Sequence, residues 1–253
     1  MDSPRSEIVF LFDVDNTLLD NDRVIEDLRR YLTSEVGAGS ADRYFAIFEQ
    51  LREELGHADY LGALQRYRVA YPRDHGLLCV SAFLVDYPFA DSVFPGALDV
   101  LERLGGFGPT VLLTDGDVVF QPRKIERSGL GAAVEHRILV YIHKERELDD
   151  VAQRFPAEHY VLVDDKLRIL AAVKQAWGPR VTTVFVRQGH YARDPDTLAS
   201  YPPADLSIDR IGDLLDYDIP TRTRPMRAGL STAHEGRALH GPLGPALPPR
   251  ERR

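Results

Sequence analysis

Short runs of consecutive apolar residues recur along the chain, and each run ends in a polar or glycine-containing turn. Runs with the length and composition of strands occupy residues 8–12, 110–113, 138–142, 160–163 and 181–186. They are continuous rather than alternating, which indicates strands buried on both faces of a sheet. Helical patterns separate the last four runs, at residues 121–128, 147–155 and 166–177. This alternation predicts a parallel sheet with right-handed crossovers.

The chain after the first predicted strand has a different pattern. From about residue 22 to residue 87 the apolar positions keep helical spacing, as in Phe45, Phe48, Leu51 and Leu55. An insertion of about 65 residues is too long for a crossover connection. We therefore predict an α/β, Rossmann-like parallel-sheet core over residues 1–20 and 90–215, with an inserted all-helical cap over residues 21–89. A helix at residues 99–104 would lead into the second strand.

The composition shifts near the end of the chain. Prolines interrupt it repeatedly and leave almost no aliphatic periodicity: Pro220, Pro225, Pro242, Pro245, Pro248 and Pro249. Glycine and arginine are frequent in the same stretch. The pattern predicts a disordered tail, rich in proline, glycine and arginine, over residues 218–253.

The hydrophobic content, net charge and cysteine count exclude several classes of protein. With 253 residues, of which 44% are hydrophobic, the chain can bury a sizeable core. Lysine and arginine total 31 against 39 aspartate and glutamate, a formal net charge of −8, which argues against a nucleic-acid or membrane-surface protein. One cysteine excludes an intramolecular disulfide. Because no apolar run resembles a signal peptide or a membrane span, we expect a cytoplasmic protein.

Two aspartates directly follow the first predicted strand. The strand ends at Phe12 and continues as Asp13, Val14, Asp15 and Asn16. The carboxyl ends of parallel strands form the ligand crevice of such a sheet, and residues two apart can point to the same side. Two neighbouring carboxylates repel each other unless a cation or a shared proton relieves them. The pair therefore indicates Mg²⁺ binding or acid/base chemistry.

The stretch from Asp13 to Thr17 resembles Asp-x-Asp-x-Thr, the first motif of the haloacid dehalogenase-like hydrolases. Three further motifs of that family follow in order, each at the end of an apolar run. Thr114 matches the second motif, Lys144 the third, and the pair Asp164 and Asp165 the fourth. The resemblance covers roughly residues 7 to 190.

The resemblance implies a role for each matched residue. Asp13 would be the nucleophile that forms an aspartyl-phosphate. Asp15 would protonate the leaving group and then accept a proton from water. Thr114 and Lys144 would bind the phosphoryl group, together with Asp115, which could instead belong to the acidic start of the next helix. Lys144 is preferred for the third motif over Lys124, which we expect to face solvent in the helix after the second strand.

The resemblance also implies a Mg²⁺ site. Its ligands would be the Asp13 carboxylate, the Asp15 backbone carbonyl, and Asp164 or Asp165. Which of the last two carboxylates binds the ion directly stays open.

We therefore expect a Mg²⁺-dependent phosphatase that hydrolyses a small-molecule phosphate monoester. A second aspartate at position 15 favours phosphoester chemistry, because the dehalogenase branch of the family lacks it. A phosphomutase shares the same motif residues and is one alternative. A non-catalytic phosphate-binding or interaction protein is another. The expected partner is a small phosphorylated metabolite, with no nucleic acid or membrane, and the expected assembly is a monomer or a homodimer.

Overall fold

A six-stranded sheet forms the centre of the computed structural model, which describes residues 5–218 and 227–228. Its strands are β1 (Ser6–Phe12), β2 (Thr110–Asp115), β3 (Ile138–Tyr141), β4 (Ala157–Asp164), β5 (Val181–Val186) and β6 (Leu206–Ile208). They lie in the order β3-β2-β1-β4-β5-β6, and each is parallel to its neighbours. The predicted α/β parallel-sheet fold is confirmed.

Helices surround this sheet and fill the connection between β1 and β2. That connection contains α1 (Asn21–Val36), α2 (Ala38–Leu55), α3 (Tyr60–Ala70), α4 (Cys79–Asp86) and α5 (Ala97–Gly105). Later connections contain α6 (Phe120–Arg127), α7 (Leu130–Ala133), α8 (Leu148–Arg154), α9 (Leu167–Trp177) and α10 (Pro195–Ser200). We call residues 21–86, which hold α1 to α4, the helical segment.

The sheet has an apolar cluster on each face. Side chains alternate along β1, so that Phe10 and Phe12 join one cluster while Val9 and Leu11 join the other. The first cluster continues without a break into α1, α2 and α3 of the helical segment. The second is covered by α8 and α9. The helical segment and the sheet therefore share one buried core.

The sequence pattern anticipates β1 to β5 but not β6 or α10. β6 has three residues with Ser207 at its centre, and only Ile208 is buried. Such a short edge strand has too few apolar positions to be recognised from periodicity. It is specified by pairing with β5.

The division into core and cap stays a prediction, although helices do occupy the inserted stretch. The predicted tail, residues 218–253, lies outside the described residues except for Asp218 and residues 227–228. There Tyr217–Asp218 pairs antiparallel with Arg227–Ala228. Among the described residues, no helix combines the length and apolarity needed to cross a membrane.

Candidate active site

Three strands end at the same edge of the sheet and bring the predicted residues together. The register aligns Phe12 of β1 with Leu112 of β2 and Val163 of β4. Asp13 continues the ladder, because its N–H donates to the Val163 carbonyl at 2.9 Å. Asp164 and Thr114 lie at the corresponding ends of their own strands. Residues distant in the chain therefore meet here because the strands are parallel and in register.

The turn after β1 is held in a fixed shape. Asn16 has a φ of 61°, in the left-handed region that asparagine tolerates better than most residues. Its Oδ1 accepts the backbone N–H groups of Asn21 and Asp22 at 3.0 and 3.1 Å, which satisfies two donors at the start of α1. Gly189, after β5, lies against this turn, and a Cβ there would be 2.5 Å from the Asn16 Cβ. The turn therefore fixes both the site and the first helix of the helical segment.

Lys144 lies at the centre of the acidic residues. It begins a one-turn helix after β3 and is buried. Its Nζ is 2.5 Å from Asp13 Oδ1 and 2.7 Å from Asp164 Oδ2. The same ammonium donates to the Leu113 carbonyl at 3.2 Å. Lys144 therefore restrains the position of Asp13 and offsets part of its charge.

The acidic residues also present oxygen atoms that can bind a metal. One carboxylate oxygen from each of Asp13, Asp164 and Asp165 lies within 4.8 Å of the others. Asp13 Oδ2 and both Asp165 oxygens are buried without a hydrogen-bond partner among the described residues. Unpaired buried carboxylate oxygens are costly unless a cation binds them. This donor set fits Mg²⁺, which prefers carboxylate oxygen ligands.

The pKa values in this cluster reflect its shortage of positive charge. Burial lowers the pKa of Lys144, but the charges of Asp13, Asp164 and Asp115 outweigh it and raise that pKa above its usual range. Burial raises the pKa of Asp164, which the charge of Lys144 offsets only in part. Burial likewise raises the pKa of Asp165. A divalent cation would supply the missing charge.

Asp15 lies on the side of the site that faces the helical segment, and Lys124 contacts it there. The prediction that Lys124 faces solvent is wrong. Its side chain is 1% exposed, and its Nζ donates to Asp15 Oδ1 at 2.6 Å. The same Nζ donates to the side-chain carbonyl of Asn21 at 3.1 Å. Lys124 is thus a second buried lysine in the site, in addition to Lys144.

The end of β2 supplies two further polar groups. The Thr114 hydroxyl lines the cavity and accepts a hydrogen bond from Gln121 Nε2 at 2.9 Å. Asp115 also lines the cavity, and its Oδ1 accepts the Lys144 backbone N–H at 2.7 Å. The start of α6 is capped by Asp117, whose Oδ1 accepts two backbone N–H groups. Asp115 therefore faces the cavity, whereas Asp117 binds the start of α6. The role of Asp115 in binding phosphate stays a prediction.

A cavity of about 30 Å³ lies between the strand ends and the helical segment. Asp13, Asp15, Thr114 and Asp115 line its sheet side. The opposite side includes Ile25, Arg52, His57 and Ala58 from the helical segment. The helical segment therefore forms one side of a narrow cavity at the strand ends.

Sequence reasoning does not place several buried polar residues in the site, and three of these form hydrogen bonds next to Asp15 and Thr114. They are Lys124, Gln121 and Asn21, and all three are buried. A signal for the first two exists: α6 begins at the carboxyl end of β2, and its buried face is Phe120, Gln121, Lys124 and Ile125. A lysine on the apolar face of a helix that starts at a ligand crevice is a candidate for an inward-facing cation.

Comparisons with known proteins agree with the geometry. The family model for haloacid dehalogenase-like hydrolases matches residues 9–176. No curated protein matches the chain significantly. A crystal structure from Burkholderia xenovorans LB400, assigned to the haloacid dehalogenase-like hydrolases, is 65% identical with a TM-score of 0.81. The alignment covers 83% of this chain and 95% of that chain.

More distant structures share the fold. YfnB from Bacillus subtilis is 18% identical with a TM-score of 0.55, and the match covers 83% of this chain and 97% of that one. The L-2-haloacid dehalogenase from Xanthobacter autotrophicus is 17% identical with a TM-score of 0.55, over 81% of this chain and 96% of that one. The match of the family model over most of the chain and the high identity to the Burkholderia protein decide the assignment. The chain belongs to the haloacid dehalogenase-like hydrolases.

Proposed function

We propose that this protein is a Mg²⁺-dependent phosphatase that hydrolyses a small phosphate monoester through an aspartyl-phosphate on Asp13. The observation that carries the proposal is that the two carboxylates lining the sheet side of the cavity have different partners. Asp13 is paired with Lys144, whereas Asp15 is paired with Lys124 and is partly exposed to the cavity. Two carboxylates in different surroundings suit two different roles, nucleophile and acid/base.

The first half of the reaction transfers the phosphoryl group to the protein. A carboxylate oxygen of Asp13 attacks phosphorus, and the bond from phosphorus to the ester oxygen breaks. Asp15 gives its proton to the departing alkoxide and is left ionised. Such positioned proton transfer typically contributes about 10² to 10⁴ in rate. Lys144 and the Thr114 hydroxyl would stabilise the negative charge on the phosphoryl oxygens.

The second half restores the protein. Water attacks phosphorus of the aspartyl-phosphate while its proton passes to Asp15. The bond between phosphorus and the Asp13 oxygen breaks, and inorganic phosphate leaves. Asp15 is then protonated again, ready for the next ester. Proton and charge therefore balance over the cycle with Asp13 and Asp15 alone.

Mg²⁺ would be held by the carboxylates of Asp13, Asp164 and Asp165, with the Asp15 backbone carbonyl as a further predicted ligand. When bound, it supplies positive charge against the phosphoryl oxygens. The unpartnered buried oxygens of Asp13 and Asp165 support this assignment. Magnesium is bound in the crystal structure of YfnB, which has the same fold.

Dehalogenases share this fold as well, and Asp15 separates the two chemistries. Displacing halide from carbon requires no protonation of the leaving group, so that reaction has no use for a second acid. Asp15 lines the cavity and has a dedicated lysine partner, which supports phosphoester hydrolysis. A phosphomutase differs only in using a substrate hydroxyl in place of water.

The test measures phosphate release from p-nitrophenyl phosphate and a panel of metabolite phosphates, with Mg²⁺ or with a chelator. Release of chloride from L-2-chloropropionate is measured in parallel. We expect Mg²⁺-dependent phosphate release and no halide release. Asp13→Asn should lower the turnover by at least about 10³-fold because it removes the nucleophile while keeping its shape.

Asp149→Asn, on the exposed surface of α8, is the matched control and should retain the wild-type rate. Halide release without phosphate release would replace the proposal by dehalogenation. Transfer of phosphate to a second sugar without release to water would replace it by mutase activity.

A further inference from the structure

Lys124 is a buried cation whose partners come from different parts of the chain. It lies on α6, with its side chain 1% exposed. Its Nζ donates to Asp15 Oδ1 at 2.6 Å and to Asn21 Oδ1 at 3.1 Å. Asp15 belongs to the turn after β1, and Asn21 is the first residue of α1. One ammonium group therefore links the turn of the active site to the helical segment.

Aromatic residues complete the surroundings of this ammonium. The Nζ lies 5.4 Å from the ring centre of Phe120 and 5.9 Å from that of Tyr60. The Tyr60 hydroxyl donates to the same Asn21 Oδ1 at 3.0 Å. Tyr60 begins α3 and is fully buried. The position of the Lys124 ammonium thus depends on two helices of the helical segment.

The contact leaves one Asp15 oxygen available. Lys124 engages Asp15 Oδ1, and Oδ2 has no hydrogen-bond partner among residues 5–218. Asp15 lines the cavity, so its side chain faces the space that a leaving group would occupy. A carboxylate with one oxygen anchored has fewer rotamers than a free one, and its second oxygen is therefore better placed for proton transfer.

We propose that Lys124 is the positioning residue for Asp15, and that Asn21 makes this positioning depend on the helical segment being packed against the sheet. This inference rests on the proposed phosphatase function and identifies the residue that holds Asp15, its acid/base group, in position. Burying a lysine costs desolvation and rotamer freedom, which offsets part of what its ion pair with Asp15 contributes to stability. Its benefit is the geometry of Asp15.

The experiment compares two esters with different needs for a proton. The p-nitrophenolate group leaves readily without protonation, whereas the alkoxide of benzyl phosphate requires it. We expect Lys124→Met to lower kcat/KM for benzyl phosphate by about 10²-fold and kcat/KM for p-nitrophenyl phosphate by less than about tenfold. This quantity reports phosphoryl transfer to Asp13 and not the later hydrolysis of the aspartyl-phosphate, which both esters share. Binding of either ester should change little, because Lys124 is not among the residues that line the cavity.

Two further variants separate positioning from general damage. Asn21→Leu keeps the lysine and removes its link to the helical segment, so it should change the ratio of the two rates in the same direction by a smaller factor. It also decides the question if Lys124→Met fails to fold. Thr114→Val removes a predicted phosphate contact and should slow both esters alike.

Each outcome bears on a defined claim. A wild-type protein that releases phosphate from neither ester overturns the phosphatase proposal and this inference with it. An active wild type whose Lys124→Met and Asn21→Leu variants lower kcat/KM equally for both esters, or for neither, overturns this inference alone.

Discussion

The two buried lysines of the site occupy different surroundings. Lys144 has three carboxylates near its ammonium, two of them within 2.7 Å, and lies at the strand ends. Lys124 has one carboxylate, one amide oxygen and two aromatic rings, and it lies against the helical segment. Lys144 therefore supplies the positive charge that allows these carboxylates to be buried close together. Lys124 instead joins Asp15, the proposed acid/base group, to the helical segment through Asn21.

The two lysines should differ most in how much stability the protein loses when each is replaced by methionine. Lys144→Met leaves three buried carboxylates without their shared counter-charge, so the free energy of unfolding should fall by about 3–5 kcal/mol. Lys124→Met leaves Asp15, whose side chain is 21% exposed and can be hydrated, so the loss should be about 1–3 kcal/mol. Urea unfolding without metal measures both.

Lys174→Met is the matched control for those variants. Lys174 pairs with Asp205 at 2.7 Å, but both side chains are more than one third exposed. Its removal should cost less than about 1 kcal/mol. Equal losses for Lys144→Met and Lys124→Met would contradict the distinction between the two lysines.

A change of opposite sign is expected at Asp165. Asp165→Asn removes one of several crowded negative charges, so the metal-free protein should become more stable by about 1–2 kcal/mol. The same change should remove the stabilisation by Mg²⁺. That stabilisation is about 2.7 kcal/mol when the Mg²⁺ concentration is 100 times the dissociation constant. Thermal unfolding with Mg²⁺ and with a chelator checks both. A variant that keeps the full Mg²⁺ response would exclude Asp165 from the metal site.

The smallest effect concerns the edge of the helical segment. Asp22 of α1 accepts the backbone N–H of His190 at 2.8 Å and lies 2.6 Å from its Nδ1. Burial raises the pKa of Asp22, but the hydrogen bonds and charge of His190 outweigh burial and lower that pKa. The stability that Asp22 contributes is therefore present above its usual pKa of about 3.8 and is lost as the pH falls through the lowered value.

Asp22→Asn should accordingly reduce the free energy of unfolding by about 0.5–1 kcal/mol at pH 7, since solvent screens this partly exposed pair. The difference from wild type should shrink as the pH falls below the usual pKa of about 3.8. Urea unfolding at pH 7 and at a series of acid pH values is the measurement. A loss that stays constant with pH would show that the carboxylate charge is not what stabilises the contact.

The sequence predicts the strand-end side of the site well and the helix-facing side poorly. The resemblance to the family names Asp13, Thr114, Lys144 and Asp164. Asp13, Thr114 and Asp164 lie at strand ends and meet because parallel strands end together. Lys144 lies three residues beyond the end of β3. These positions depend on local pattern and on a single rule of sheet geometry.

The other side depends on packing that no local pattern specifies. Asn21 and Tyr60 belong to different helices and meet because α1 and α3 both pack against α2 and share one apolar cluster with it. Lys124 was expected at the surface because lysine is rarely buried. Its burial becomes intelligible only once the partners are known: Asp15 and Asn21, which lie close together in the chain, and the ring of Tyr60 in α3.

The small cavity has a consequence for apparent affinity. Because the helical segment forms one side of this narrow cavity, an arrangement in which the segment has moved away would admit substrate more readily. The observed dissociation constant is then the intrinsic constant divided by the fraction of molecules in that arrangement. A chain with a looser helical segment would therefore capture substrate at lower concentration, yet it would spend less time with Asp15 in place. Substrate capture and turnover are thus opposing demands on one conformational equilibrium.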